Sequence, residues 1–281
     1  MDKLISAIEY IKQIIVDKGF QARHKTDWYA FTKEAKISFE SVMLFVLGST
    51  NTLLDFEIQN FCQKQQTELF SKGAISIAKQ KVSYTAFQSI LQTLSYLMPK
   101  ESLFKDYQLV AVDGTELQLP KSPAITEKYN RSKDRCNWPR AHAVTFYDVL
   151  NHHYLDSTFN PYQTDERQAA IRMLDVSFIQ TPQIYLFDRG FPSVGLIQKL
   201  NESGKKFVFR VAKNFSKEVI SFRESEATDC TKNITYTKSN TRTNRKSKDL
   251  ILPYSFDLRF IKVALKSGED EILITNLFDE D

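Results

Sequence analysis

Asp113 and Asp188 are the side chains of this sequence best placed for chemistry. Asp113 follows the apolar run Leu109, Val110, Ala111, Val112 and precedes Gly114 and Thr115. Asp188 follows Ile184, Tyr185, Leu186 and Phe187 and precedes Arg189 and Gly190. Each run suits a buried strand. A carboxylate delivered by such a strand needs a cation, a metal or several hydrogen bonds to carry its charge. Two strands each delivering one aspartate are what a divalent cation site requires, since Mg²⁺ takes one or two carboxylates and keeps positions for substrate phosphates. Asp-Gly after a strand also reads as a turn. The repetition of the pattern within one candidate domain favours the metal.

The surrounding elements must bring these acids together. From Met1 to about Lys105 the pattern is helical, with no proline before Pro99. Leu4, Ile5, Ile8, Ile11, Ile14 and Ile15 form the stripe of an amphipathic helix. Thr26 to Leu47 reads as one or two helices, Thr50 or Asn51 as the N-cap of another, and Ala74–Lys81 and Thr85–Met98 as a further pair. This module either binds DNA through a helix-turn-helix or simply packs.

After Pro99 the periodicity changes. Tyr107 to Leu119 is a strand or two, interrupted at Asp113–Gly114. Ala141–Leu150 and His153–Phe159 follow, with Asn151–His152 as a tight turn. Thr164 to Phe178 is a helix with acidic and capping residues at its start. Gln183–Phe187 is a strand, Ser193–Leu200 a helix and Lys206–Val211 a strand. Asn214 to Ser255 is polar without strong periodicity, and Phe256–Leu265 and Glu271–Leu277 pair across a Ser267–Gly268 turn. The expected fold class is α/β: a helical domain over 1–105, then an RNase H-like domain over 106–281 carrying a β-rich insertion at about 214–277. In that topology the first and fourth strands are neighbours, which sets Asp113 beside Asp188.

The bulk properties narrow the setting. The chain has 281 residues and a net charge of +4. Cys62, Cys136 and Cys230 are far apart and odd in number, which argues against a disulfide framework or zinc site and suits a reducing, cytoplasmic compartment. No apolar run is long enough to span a bilayer, so no membrane association is expected.

Several stretches carry a family resemblance. AVDGTELQLP resembles the first-aspartate motif of the IS4-type DDE transposases, and YLFDRGFPSVGLIQKL with GKKFVFRVAK resembles their second-aspartate block. VALKSGEDEILITNLFD resembles the strand pair closing their β insertion, and ISIAKQKVSYTAF the helical segment before the catalytic domain. The likeness covers about Ile75 to Asp281. It implies transposon-end DNA as partner, a dimer on that DNA, and metal-dependent phosphodiester cleavage and strand transfer. Two divalent ions, Mg²⁺ or in its place Mn²⁺, would be held by two aspartates and a glutamate, with Asp113 and Asp188 as ligands. Arg189 would contact a phosphate or pair with a site carboxylate. The family's glutamate lies on a helix after the insertion, among Tyr, Arg, Glu and Lys. Nothing of that pattern follows Leu277, and Asp279, Glu280 and Asp281 are not assigned to the role. The resemblance therefore implies a chain truncated at its C-terminus and weakly active or inactive alone.

Two basic stretches are candidate DNA contacts. Lys121 to Arg140 holds Lys128, Arg131, Lys133, Arg135 and Arg140, with Tyr129 and Trp138 among them, and the second region holds Lys238, Arg242, Arg245, Lys246 and Lys248. Such clusters bind phosphates through charge and counterion release, and aromatics stack on unpaired bases. The bland reading is a solvated charge run. His152 and His153 are adjacent on the chain and so are not expected to share an ion. VDGTEL also resembles a phosphatase motif, but Ala111 stands where its nucleophilic aspartate belongs. The alternative to a catalyst is a non-catalytic DNA-binding or regulatory remnant.

Overall fold

The structure, a computed structural model, describes residues 2–32, 36–50, 52–98, 100–129, 138–161, 164–175, 181–237 and 251–278. Met1–Pro99 and Lys100–Asp281 form two compact units.

The first unit is helical: α1 Asp2–Val16, α2 Lys18–His24, α3 Phe39–Leu47, α4 Leu54–Gln65, α5 Lys72–Lys79 and α6 Thr85–Leu97. In α1 the buried positions are Ala7, Ile11 and Ile15, one helical face. Leu4, Ile5 and Ile8 of the expected stripe stay exposed. Ile15 packs in a cluster with Phe20, Phe39, Val42, Met43, Phe45, Ile75 and Ala86. Asp17, Ser38 and Ser71 cap α2, α3 and α5 by accepting from Phe20, Ser41 and Ala74 N–H.

Two expectations for this unit are corrected. Thr26–Leu47 holds only α3 among its described residues. Thr26 N–H donates to the Lys81 carbonyl at 3.0 Å, and Phe31 takes a φ of 56°, so pairing with a distant segment and a left-handed residue displace the helix. Thr50 does not cap α4, whose N-cap is Leu53. Instead the backbone N–H and Oγ1 of both Thr50 and Thr52 donate to Glu57 Oε1 at 2.8–3.0 Å. Asn51 lies outside the described residues.

The second unit is built on one sheet. Its elements are β1 Gln108–Gln118, α7 Pro123–Tyr129, β2 Arg140–Asp148, β3 His153–Pro161, α8 Glu166–Asp175, β4 Gln183–Phe187, α9 Val194–Glu202, β5 Lys206–Val211, α10 Lys217–Glu224, β6 Asp229–Tyr236, β7 Tyr254–Ala264 and β8 Asp270–Thr275. The strand order is β3-β2-β1-β4-β5-β8-β7-β6. β1, β2 and β3 are antiparallel neighbours, while β4 lies parallel between β1 and β5. The α/β class thus holds, and β3-β2-β1-β4-β5 is the order expected of an RNase H-like core. β8, β7 and β6 extend that same sheet by antiparallel pairing from β5.

One face of the sheet is sealed by helices. Val110, Val112, Val144, Phe146, Tyr185, Phe187, Phe207 and Phe209 share a buried cluster with Ala169, Ala170, Met173 and Leu174 of α8, Leu196, Ile197 and Leu200 of α9, and Val219 and Phe222 of α10. Phe187 and Phe209 stack with centroids 4.7 Å apart. Burying each large apolar side chain contributes roughly 2 kcal/mol, which fixes β4 against β5 and the register of everything at their ends.

Three further corrections follow. β1 is not interrupted at Asp113–Gly114: its pairing with β2 runs without a break from Val110↔Asp148 to Gln118↔Arg140, so ladder hydrogen bonds override the turn preference of the dipeptide. The basic stretch after β1 contains α7, initiated by Pro123. The polar 214–255 stretch contains α10 and β6. α10 buries only Val219 and Phe222, and β6 is an edge strand with Ile234 its one buried residue. Neither needs the apolar periodicity by which elements are read.

Candidate active site at the end of strands one and four

β1 and β4 are in register at Val112↔Phe187, and both residues belong to the helix-side cluster. Side chains alternate along a strand, so Asp113 projects from the opposite face, and Asp188 follows one residue past the end of β4. Paired strands are about 4.8 Å apart, so each aspartate directly follows one member of the last β1–β4 pair. Both are exposed. Asp113 Oδ1 accepts from Gly114 N–H at 2.9 Å. The carbonyl of Asp188 accepts from Phe191 N–H at 3.0 Å, turning the chain back toward α9.

The same face carries a cationic counterpart. Arg210 of β5 alternates with the buried Phe209 and Val211, and its Nη1 lies 3.2 Å from Asp188 Oδ1. Its Nε donates to Glu271 of β8, which also receives Arg189 Nη2 at 2.7 Å. Burial pushes the Glu271 carboxyl up, but the hydrogen bonds from Arg210 and Arg189 outweigh it and hold the group below its ordinary value. The bond to Glu271, despite the cost of burial, raises the Arg210 guanidinium above its own. Arg189 thus pairs with Glu271 of β8.

Gly114 is where the helix side reaches in. A Cβ on Gly114 would lie 2.5 Å from Glu166 Oε1, so a side chain here would have to displace the Glu166 carboxylate. Glu166 opens α8, and its Oε1 is 2.7 Å from His142 Nε2 on β2. Asp165 Oδ1 accepts from Arg167 N–H at 2.9 Å, as an N-cap does. Arg167 in turn donates from Nε and Nη2 to the Gly190 carbonyl at 3.1 and 2.8 Å, tying the start of α8 to the turn after Asp188.

Among the described residues, no group of three or more His, Cys, Asp and Glu is already gathered to hold a metal ion. The arrangement nevertheless fits a divalent cation. Asp113 and Asp188 are hard oxygen donors of the kind Mg²⁺ takes, and a guanidinium stands as the positive charge on Asp188.

The expected DNA-contact residues divide. Lys128 lies over the Tyr129 ring, 5.4 Å from its centroid, and Tyr129 packs on Phe159. Trp138 is 49% exposed. Arg140 pairs with Glu116 at 3.1 Å. Arg131, Lys133, Arg135, Lys238, Arg242, Arg245, Lys246 and Lys248 lie outside the described residues. Lys232 sits over the Phe222 and Phe260 rings. His153 Nε2 is buried without a hydrogen-bond partner, and His152 occupies the turn with a φ of 56°.

Sequence reasoning did not single out Glu166, Arg210 or Glu271 for this region. The one available signal was Gly114: a glycine inside a strand marks a close approach as well as a turn.

A family model described as "Transposase DDE domain" matches residues 104–278. The protein named "Putative transposase InsZ" of Escherichia coli (strain K12) is 28% identical over 162 residues, covering 54% of this chain and 54% of its own length. The chain thus spans about half the length of that curated relative. A cryo-EM structure of the piggyBac transposase synaptic complex with hairpin DNA is similar with a TM-score of 0.49 and 9% identity, over 97% of this chain and 61% of that one. No helix among the described residues is long and apolar enough to cross a membrane.

Proposed function

The chain belongs to the DDE transposase family, and on that premise we propose that it acts on transposon-end DNA as an IS4-type enzyme, cleaving phosphodiesters and transferring strands. Asp113 and Asp188 would hold the divalent metal, Mg²⁺ or in its place Mn²⁺. Such ions stabilise the attacking and leaving oxygens of an in-line displacement. The observation that supports this most is the register of Val112 with Phe187, since an aspartate is the next residue of the chain after each member of that pair.

The protein's own contribution is placement and charge. β1 and β4 fix the aspartates, and Glu271 holds Arg189 and Arg210 beside them. DNA would be held by Arg189, Lys128, Trp138 and Arg140, with the basic residues of 131–135 and 238–248. Binding of this kind weakens steeply with salt. The proposal includes a dimer on DNA and work in the cytoplasm, to which the free thiols of Cys62 and Cys230 are suited.

The test is a nicking assay on supercoiled plasmid DNA with Mg²⁺ or Mn²⁺. Metal-dependent nicking that disappears in Asp113→Ala and Asp188→Ala supports the reading and, if robust, overturns the expectation that this chain is weakly active or inactive alone. Salt-dependent binding with no cleavage under either metal, or cleavage indifferent to both substitutions, overturns it in favour of a non-catalytic DNA-binding protein or a contaminant nuclease.

A further inference from the structure

We propose that Glu271 is a positioning residue of this site: it yokes Arg189 and Arg210 into a two-guanidinium seat for one phosphate of the DNA backbone beside Asp188. The inference rests on the reading above and deepens it. Arg189 follows Asp188 in the turn after β4, Arg210 lies on β5 and Glu271 on β8. Arg210 alternates with Phe209 and Val211, which face the helices, so its side chain stands on the open face of the sheet. Arg189 Nη2 and Arg210 Nε both donate to Oε1 of Glu271. Two donors on a single oxygen bring the donor nitrogens within about 6 Å of each other, despite the like charge of the guanidiniums.

Exposure separates the holder from the held. The Glu271 side chain is 13% exposed, while those of Arg189 and Arg210 are each 41% exposed. Ion pairs this open contribute little to stability, so a staple for the fold is a poor account of two arginines on one acid. Among the described residues Arg189 donates only from Nη2, and Arg210 only from Nε to Glu271 and from Nη1 to Asp188, 3.2 Å away. N–H groups of both remain to donate outward, and a planar guanidinium matches phosphate oxygens in pairs. The bond to Glu271 raises the Arg210 guanidinium above its ordinary value, so its charge is permanent. Glu271 and Asp188 together balance the two guanidiniums. A cation on Asp188 uses that aspartate's charge and leaves the arginines one positive charge in excess. A phosphodiester, with its single negative charge, matches that excess.

The experiment is fluorescence anisotropy of the full chain with a labelled DNA duplex over a series of KCl concentrations, with a thermal melt of each variant. Asp188→Asn is the background, because it removes the aspartate's charge as a cation would and needs no metal. In it, Arg189→Gln and Arg210→Gln are each expected to weaken binding about tenfold and to lower the salt slope by about one. Glu271→Gln is expected to weaken binding by about threefold or more, although it takes a negative charge away from the DNA. With both arginines already replaced, Glu271→Gln should no longer weaken it. Should Glu271→Gln fail to fold, Glu271→Asp makes the same test, since it keeps the charge and withdraws the oxygen. Equal or tighter binding in Glu271→Gln, or unchanged binding in Glu271→Asp, overturns the role of Glu271. An equal loss with and without the arginines also overturns it, because the effect is then on the fold and not on the seat. Salt-dependent binding indifferent to both arginines overturns the seat and leaves the aspartate pair standing. A wild-type chain that binds no DNA removes the underlying reading and the seat with it.

Discussion

Asp148 and Asp113 sit on adjacent strands of one ladder and are treated in opposite ways. Asp148 is fully buried and saturated. It accepts from Gln108 Nε2, from the Leu150 and Asn151 N–H groups at 3.1 and 3.0 Å, and from Asn151 Nδ2 at 2.9 Å. Its donors are neutral and fixed, and they shape the β2–β3 turn. Asp113 is exposed and takes one short-range bond from the next residue. Asp188 resembles Asp113 in its exposure and is partnered by one side chain, Arg210. A carboxylate with a structural task is enclosed by donors that cannot leave. On the proposed function, one with a chemical task is left open to an ion.

This contrast predicts separable defects. The largest effect belongs to Asp113→Ala, which should lower metal-dependent DNA cleavage by more than about a hundredfold, measured as initial nicking rate. Its stability should stay within roughly 0.5 kcal/mol of wild type, as for other exposed positions. Asp148→Ala should do the reverse. It strands four donors, one of them fully buried, and should cost roughly 3 kcal/mol by urea unfolding, with Mn²⁺ affinity intact below the transition. If Asp148→Ala abolishes metal binding in the folded protein, the division between the two acids is wrong.

Gly114→Ala should fall between them. Displacing the Glu166 carboxylate from His142 with a methyl should cost about 1–2 kcal/mol by urea unfolding.

The smallest effect concerns the helical unit, where Glu57 offers a second structural carboxylate. The Thr52 and Thr50 backbone N–H groups, helped by both hydroxyls, hold its carboxyl down at about 2 against an ordinary 4.5. A depressed carboxyl contributes stability that is present above its ordinary value and lost as pH falls through the depressed one. The melting temperature of this unit should therefore drop between pH 4.5 and 2, and Glu57→Gln should flatten that part of the profile. A profile unchanged by the substitution would show that the Thr50 and Thr52 bonds do not form.

What was legible in the sequence follows the same physics. The aspartates could be found because strands buried by helices need unbroken apolar runs, and an acid ending such a run stands out. The order of strands and helices after Pro99 was legible for that reason. α10 and β6 were not, since an edge strand and a short helix bury too little to leave a pattern. Glu166 was hidden by a sufficient simpler explanation: an acid at a helix start is ordinary capping chemistry. Only the neighbouring backbone at Gly114 shows what else it touches. Arg210 and Glu271 lie 61 residues apart, and their meeting depends on β8 returning to β5, which no local signal announces.

The most direct test of the central claim is anomalous scattering from crystals of the chain soaked in Mn²⁺. The predicted result is a manganese peak past the end of β4, coordinated by carboxylate oxygens of both Asp113 and Asp188, with Arg210 turned off Asp188. Manganese bound elsewhere, or held by one aspartate while the other keeps its present partner, contradicts the shared site.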